Sequence, residues 1–369
     1  MITQMKKETK EKLTSLFKAK KKVPLKEMAI FTRQMSTLLS SGIHIASAID
    51  VLMAQTDNKR LLEVTEDIKL RILAQGASFS QALSYHRDVF SSLYIATVKC
   101  GETSGSLPEA MVKLARELEE DVKMRNQCIA ALTYPAIVFI SSILVVLVII
   151  KCVLPGFLPM FANFGMKLPL PTRILIGIND ILSGWKFFVL LLLVVGCIVL
   201  WSRYMKTEKG KMVKDAIMLN IPVVNKIMSK IIMARFCRSF SLLYSSGLSF
   251  AQSMKLLEDI VDNAYYKEDI ENALKNVSEG DTIAGALAKE HLFPRIVVNM
   301  IATGEDTGEL PMILDSAAHY YEVDARNFLD NMSTILEPLI ISILGVVVGF
   351  ILFALLMPLY EMIGTFSGV

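Results

Sequence analysis

From Asn126 to Ile150 no residue carries a charge, and apolar positions follow one another without the polar gaps of a surface helix. The run begins near Tyr134, includes IVFISSILVVLVII, and has Pro135 at its start and Pro155 beyond its end. From Pro338 to Pro358 the chain is again uncharged and reads LIISILGVVVGFILFALLM between the prolines. A helix of about 20 apolar residues crosses a bilayer, so both runs predict spans, at 134–154 and 338–358. A third run, FFVLLLLVVGCIVLWS, lies between Lys186 and Arg203, with Trp185 and Trp201 near its ends. Tryptophans at both ends suit the two membrane–water interfaces, and the flanking cations can snorkel; this predicts a second span over 185–202.

Outside the spans the period is helical. Leu107, Met111, Leu114, Leu118 and Val122 recur at three- and four-residue steps, one face of a helix. Gly42, the polar stretch around Asp57, Gly76 and SYHRD punctuate the chain before it. About six helices result, near 25–40, 43–55, 59–74, 78–84, 89–100 and 107–131. No alternating strand pattern interrupts them. The fold class expected is an all-α membrane protein.

The pattern occurs twice. Phe31, Arg33 and the S-S-G ending at Gly42 correspond to Phe236, Arg238 and the S-S-G ending at Gly247. Gly76 corresponds to Gly280, Phe90 to Phe293, and Pro135 to Pro338. GETSGSLPEAM at Gly101 returns as GEDTGELPMIL at Gly304, with the shared frame G-E-x-x-G-x-L-P. The organisation expected is a lysine-rich segment 1–24, a helical domain 25–133, the first span, a short loop 155–184, the second span, a repeated domain 203–337, the third span and a tail 359–369.

The repeated phrase reads as a tight turn between helices. Gly101, Gly105, Gly304 and Gly308 permit positive φ. Ser106 and Glu109 match a capping box, with Thr307 or Asp306 as caps in the second copy. Pro108 and Pro311 fall in the first helical turn, where the missing N–H costs little; Leu107 and Leu310 precede them. Glu102 and Glu305 have two readings: acceptors for backbone N–H groups at the following helix start, or an acidic corner that meets a basic partner or a cation. Each S-S-G reads as a helix C-terminus. Arg33 and Arg238 suit either an ion pair within the domain or contact with a partner.

Composition agrees with the spans. The 369 residues are 53% hydrophobic and 20% charged, with a mean hydropathy of +0.47; soluble domains hold about 45–50% apolar residues. Lys and Arg number 20 in residues 1–133, two in 155–184, 15 in 203–337 and none after 358. Positive charge marks the cytoplasmic side, so the N-terminus and both repeated domains are expected inside and the C-terminus outside. Nine lysines lie within the first 26 residues without a following apolar run, unlike a secretory signal. That segment suits either the anionic lipid surface or a solvated tail.

The five cysteines form no C-x-x-C pair and the four histidines have no metal-ligand spacing. No phosphate-binding, nucleophile-elbow, zincin or dinucleotide motif occurs. The sequence thus offers no catalytic, cofactor-binding or metal-ligating set, and no nucleic-acid partner is expected. A small transporter or channel is a rival reading, weakened by spans lacking ionisable groups at mid-membrane. A non-enzymatic membrane receptor is another.

The F-x-R start of each copy, the paired G-E-x-x-G-x-L phrase and the proline where each copy meets its span resemble the GspF/PilC family over about residues 25–365. These are the inner-membrane platform proteins of type II secretion and type IV pilus machines. The resemblance implies a homo-oligomer in the bacterial inner membrane that contacts a cytoplasmic hexameric secretion ATPase, pilin or pseudopilin subunits and other inner-membrane assembly proteins.

Overall fold

The computed structural model describes residues 23–163, 169–182, 184–205, 207–261 and 263–366. Most of the lysine-rich segment, part of the 155–184 connection and the last three residues lie outside them. Among the described residues the chain is helical and contains no strand.

The chain divides into two compact units, one of residues 1–125 and 223–325 and the other of 126–222 and 326–369. In the first unit, copy one is built of α1 (Leu25–Ser40), α2 (Ile45–Gln55), α3 (Lys59–Gln75), α4 (Phe79–Ser84), α5 (Ser92–Ser104) and the start of α6 (Leu107–Val148). After a π-helical turn, Ile149–Val153, come α7 (Leu154–Asn163), α8 (Leu170–Leu182), α9 (Trp185–Tyr204) and α10 (Glu208–Asn220). Copy two comprises α11 (Pro222–Ser245), α12 (Phe250–Ile260), α13 (Ala264–Ser278), α14 (Ile283–Ala288), α15 (Arg295–Thr307) and the start of α16 (Leu310–Phe366).

The two copies bury equivalent side chains. Phe31 and Phe90 are both buried, with ring centroids 6.4 Å apart. Phe236 and Phe293, their counterparts, pack at 5.1 Å. Tyr94 adds to the first core at 5.0 Å from Phe90, and Tyr266 to the second at 6.4 Å from Phe293. Such aromatic pairs add about 0.5–1.5 kcal/mol beyond the area they bury.

Helix ends follow the chemistry of the chain. The helices ending in S-S-G stop at Ser40 and Ser245, and Gly42 and Gly247 turn with φ of 82° and 92°. Asn58 accepts from Arg60 N and Leu61 N to begin α3, and Asn263 accepts from Tyr265 N and Tyr266 N to begin α13. Reciprocal capping boxes form at Ser78–Gln81 and Ser249–Gln252. At Ser106 the expected box gives way to a pairing with Ser104 Oγ at 2.6 Å.

Among the described residues three helices, Leu107–Phe157, Phe187–Tyr204 and Leu310–Pro358, are long and apolar enough to cross a membrane. A bent pair, Met212–Met218 with Pro222–Ser245, passes the same test. Its second member is α11, which buries Arg238 and Ser239 in the first unit. The helix expected over 107–131 does not stop before the span, since α6 runs unbroken through Pro135 to Val148. Similarly α16 contains Pro338 and Pro358. The connection expected as a loop is largely helical. In the second unit Leu175 of α8 packs with Ile150, Leu154, Ile351, Ala354 and Leu355, while Thr172 Oγ1 donates to Ala354 O at 2.5 Å.

Candidate functional site

The G-E-x-x-G-x-L-P phrase forms the same corner in both copies, joining α5 to α6 and α15 to α16. Gly105 ends α5 with φ 72° and Gly308 ends α15 with φ 72°. In copy one, Gly105 N donates to Glu102 O at 3.3 Å and Ser106 N to Gly101 O at 2.8 Å. This is a Schellman closure, which satisfies carbonyls left over at a helix end. In copy two, Gly308 N donates to Glu305 O at 3.4 Å, and Thr307 Oγ1 accepts from Glu309 N at 3.4 Å. Pro108 and Pro311 occupy the first turns of α6 and α16.

Gly101 and Gly304 act differently from the sequence expectation. Neither has positive φ. Both lie inside helices, where the next helix passes too close for a side chain. A Cβ on Gly101 would stand 2.6 Å from Ala110 Cβ and 3.1 Å from Leu107 Cα. One on Gly304 would stand 2.9 Å from Leu310 Cα and 3.4 Å from Ile313 Cβ. The requirement is space at a helix crossing, and sequence alone cannot separate that from a requirement on φ.

Glu102 and Glu305 reach back to the preceding short helix, not forward to the following one. Glu102 Oε1 accepts from Phe79 N at 2.6 Å and Oε2 from Ser80 N at 3.0 Å. Ser78 Oγ takes Gln81 N at 3.2 Å, and Ser78 O takes Ala82 N at 2.9 Å. Copy two repeats the scheme: Glu305 takes Ile283 N and Ala284 N at 2.6 and 2.7 Å, and Thr282 Oγ1 takes Gly285 N at 3.0 Å. A helix start leaves backbone N–H groups without intrahelical partners. Here one carboxylate and one cap side chain satisfy them together.

Arg33 and Arg238 also play parallel parts. Arg33 Nε donates to Glu119 Oε1 at 2.6 Å, and its Nη2 pairs with Oε2. Arg238 Nε donates to Glu322 Oε1 at 2.6 Å, and its Nη1 to Asp315 Oδ1 at 3.1 Å. Glu119 and Glu322 are 203 positions apart, the spacing of the repeated phrase, so the doubled sequence itself held the signal for these partners. The environments differ: the Arg33 side chain is 41% exposed and that of Arg238 only 9%. Burial alone would lower the Arg238 pKa, but Glu322, Glu117 and Asp315 hold it above the ordinary value.

The copies meet inside the first unit along a polar seam that sequence reading missed. Lys113 Nζ lies 3.2 Å from Ser245 O and 3.1 Å from its Oγ. Arg116 reaches Asp315 at 3.5 Å, and Arg235 reaches Asp121 at 3.3 Å. In the second unit Tyr134 Oη donates to Glu337 Oε1 at 2.8 Å. Tyr134 and Glu337 each precede the proline of their span, so equivalent positions of the repeat touch one another. No group of three or more His, Cys, Asp or Glu side chains among the described residues is arranged to hold a metal ion.

Two helical corners, each leading into a long helix with a membrane-length apolar run, coincide with a known pattern. The model of type II secretion system protein F matches residues 31–155 and again 236–358. The chain belongs to the type II secretion system protein F family. It is 35% identical over 344 residues to the type IV pilus assembly protein PilC of Thermus thermophilus, covering 93% of this chain and 84% of that protein. It is 30% identical over 339 residues to PilC of Myxococcus xanthus, covering 92% and 81%. With the type II secretion system protein F of Aeromonas hydrophila it shares 29% over 336 residues, covering 91% and 86%. The two family matches enclose both corners, both ion-paired arginines and the first and third spans. Membership makes this a membrane protein of the secretion and pilus assembly class with an internal repeat. The GspF/PilC family reading of the sequence is upheld.

Proposed function

We propose that this protein is an inner-membrane platform of a type IV pilus or type II secretion machine, coupling a cytoplasmic hexameric ATPase to the addition of pilin or pseudopilin subunits. The observation carrying this reading is the continuity of α6 and α16. Each starts at a glycine-fitted corner and runs without interruption into a membrane-length apolar segment. A hydrogen-bonded helix transmits displacement along its axis better than a flexible linker, whose ends move independently. The Lys and Arg asymmetry supports cytoplasmic repeats and an external C-terminus. The exposure of α9 leaves surface for other spans, including those of further copies of the chain.

The reading is tested with the full chain in nanodiscs and a hexameric secretion ATPase from the same cell. Binding of the ATPase, with a change in its turnover, is expected. ATPase binding that survives removal of both corners by Glu102→Ala and Glu305→Ala, while filament assembly also survives, would remove the corners from the coupling. Absence of binding by the intact chain under assembly conditions would overturn the coupling role.

A further inference from the structure

The seam between the copies contains a carboxyl group that the corners do not explain. Glu117 of α6 is only 6% exposed. Its Oε1 lies 3.2 Å from Oγ of Ser239 on α11, which is fully buried. Glu117, Glu120 and Asp121 of α6, Arg235 and Arg238 of α11, and Glu322 of α16 surround a cavity of about 20 Å³. That is room for about one water molecule. Asp315 of α16 faces Arg238 at 3.1 Å, and His319 Nδ1 lies 4.0 Å from Glu322.

Each nearby cation has a carboxylate partner, although Arg235 keeps one buried donor, Nε, without a hydrogen-bond partner. Arg238 directs Nε and Nη2 to Glu322 and Nη1 to Asp315. Arg235 pairs with Asp121, and Arg116 with Asp315. Lys123 pairs with Glu120 at 3.2 Å. Three guanidinium groups, those of Arg116, Arg235 and Arg238, thus face the three carboxylates Asp121, Asp315 and Glu322, and Glu117 is a fourth acid. Its hydrogen-bond partner in the structure is a neutral hydroxyl. A buried carboxylate without a dedicated cation is costly, so such a group takes up a proton or gains water. The feature is specific to one copy, since the position 203 residues later is the exposed Tyr320.

We propose that Glu117 is a proton-operated latch between the repeats: protonated, it lets α6 and α11 close on each other; ionised, it favours opening of their seam to water. Burial, reinforced by Asp121, raises the Glu117 carboxyl to about 8; Arg238, the Ser239 hydrogen bond and Arg235 pull the other way. In an open seam the group returns toward the ordinary range near 4.3. The closed state therefore binds more protons between these limits. Its advantage is complete below the lower limit, declines as pH rises, and is gone above about 8. Opening near neutral pH releases a proton.

The test uses the full chain in nanodiscs with native cysteines replaced. Spin labels at Val112→Cys and Tyr244→Cys, both exposed positions beside the Lys113–Ser245 contact, report the seam distance. The ratio of open to closed forms should rise nearly tenfold from pH 6 to 7, about fivefold from pH 7 to 8, and level above about pH 9, the response of a single proton. Glu117→Gln should flatten the profile with the seam closed. Asp121→Asn removes the adjacent negative charge and frees Arg235, so levelling should begin at lower pH. A wild-type profile without pH dependence, or one that Glu117→Gln leaves unchanged, overturns the latch. If Glu117→Gln does not fold, an unmoved levelling point in Asp121→Asn overturns it instead.

Discussion

At the scale of single residues, the G-E-x-x-G-x-L-P phrase divides its work among its positions. Gly105 supplies a positive φ, whereas Gly101 supplies space. Gly101→Ala places a methyl 2.6 Å from Ala110 Cβ and should destabilise the full chain by about 1–3 kcal/mol, the range for overpacking. Gly105→Ala should cost about 1 kcal/mol through backbone conformation alone. A denaturant midpoint series separates them, because Gly101→Ser should be no better tolerated than Ala while Gly105→Asn should recover part of the loss. Glu102→Gln keeps one acceptor for two N–H donors and should cost about 1–2 kcal/mol, with faster amide exchange at Phe79 and Ser80. Unchanged exchange there would contradict the capping role. Burial pushes the Cys237 thiol up to about 12, so maleimide should modify it only on unfolding.

Among elements, α4 and α14 are the most dependent on their neighbours. Each has six residues, too short for stability in isolation. Each is held by a glutamate from the helix that follows it. Hydrogen exchange in α4 should therefore track the corner, and Glu102→Ala should expose α4 before α3. The spans give a separate expectation. Cysteines placed at the exposed position 170 and at 361 should react with an impermeant reagent from outside, in a background without native cysteines, while those at 60 and 265 should not. External labelling at 265 would remove α9 as a span, because one crossing separates the two connected regions.

For the whole molecule, the doubled organisation repeats the same corner contacts in both copies. Purified protein should show no ATP hydrolysis of its own that survives repurification, since no phosphate-binding motif is present in the sequence. Persistent turnover in the purified chain, lost on substitution of one of its own residues, would contradict this. The copies are alike in their corners and unlike in their seam. Arg33 sits in a half-exposed pair, but Arg238 lies among Glu117, Asp315 and Glu322. Arg238→Lys should consequently be more disruptive than Arg33→Lys, because an ammonium cannot reproduce the guanidinium fork. Thermal unfolding of the two full-length variants measures the difference.

Hydrophobic periodicity alone determined the helical class and the three apolar runs, because burial of a helix face and of a membrane run leaves regular traces along the chain, and the recurrence of the same residues and of the G-E-x-x-G-x-L-P phrase determined the doubling. Turn chemistry likewise placed the stop at Gly42, where the backbone requirement is local, but it ended the helix at 100, before Gly101, where the structure carries α5 on to Ser104. What sequence could not decide was which groups meet across distance. Glu102 lies 23 positions from Phe79, and the direction of its carboxylate depends on how α5 crosses α4. Gly101 needs room only because α6 passes over it. Glu117 looks like one more acid on a charged helix until α11 covers it and removes water. Tertiary structure decided these three roles because sterics and desolvation depend on neighbours that sequence spacing does not name.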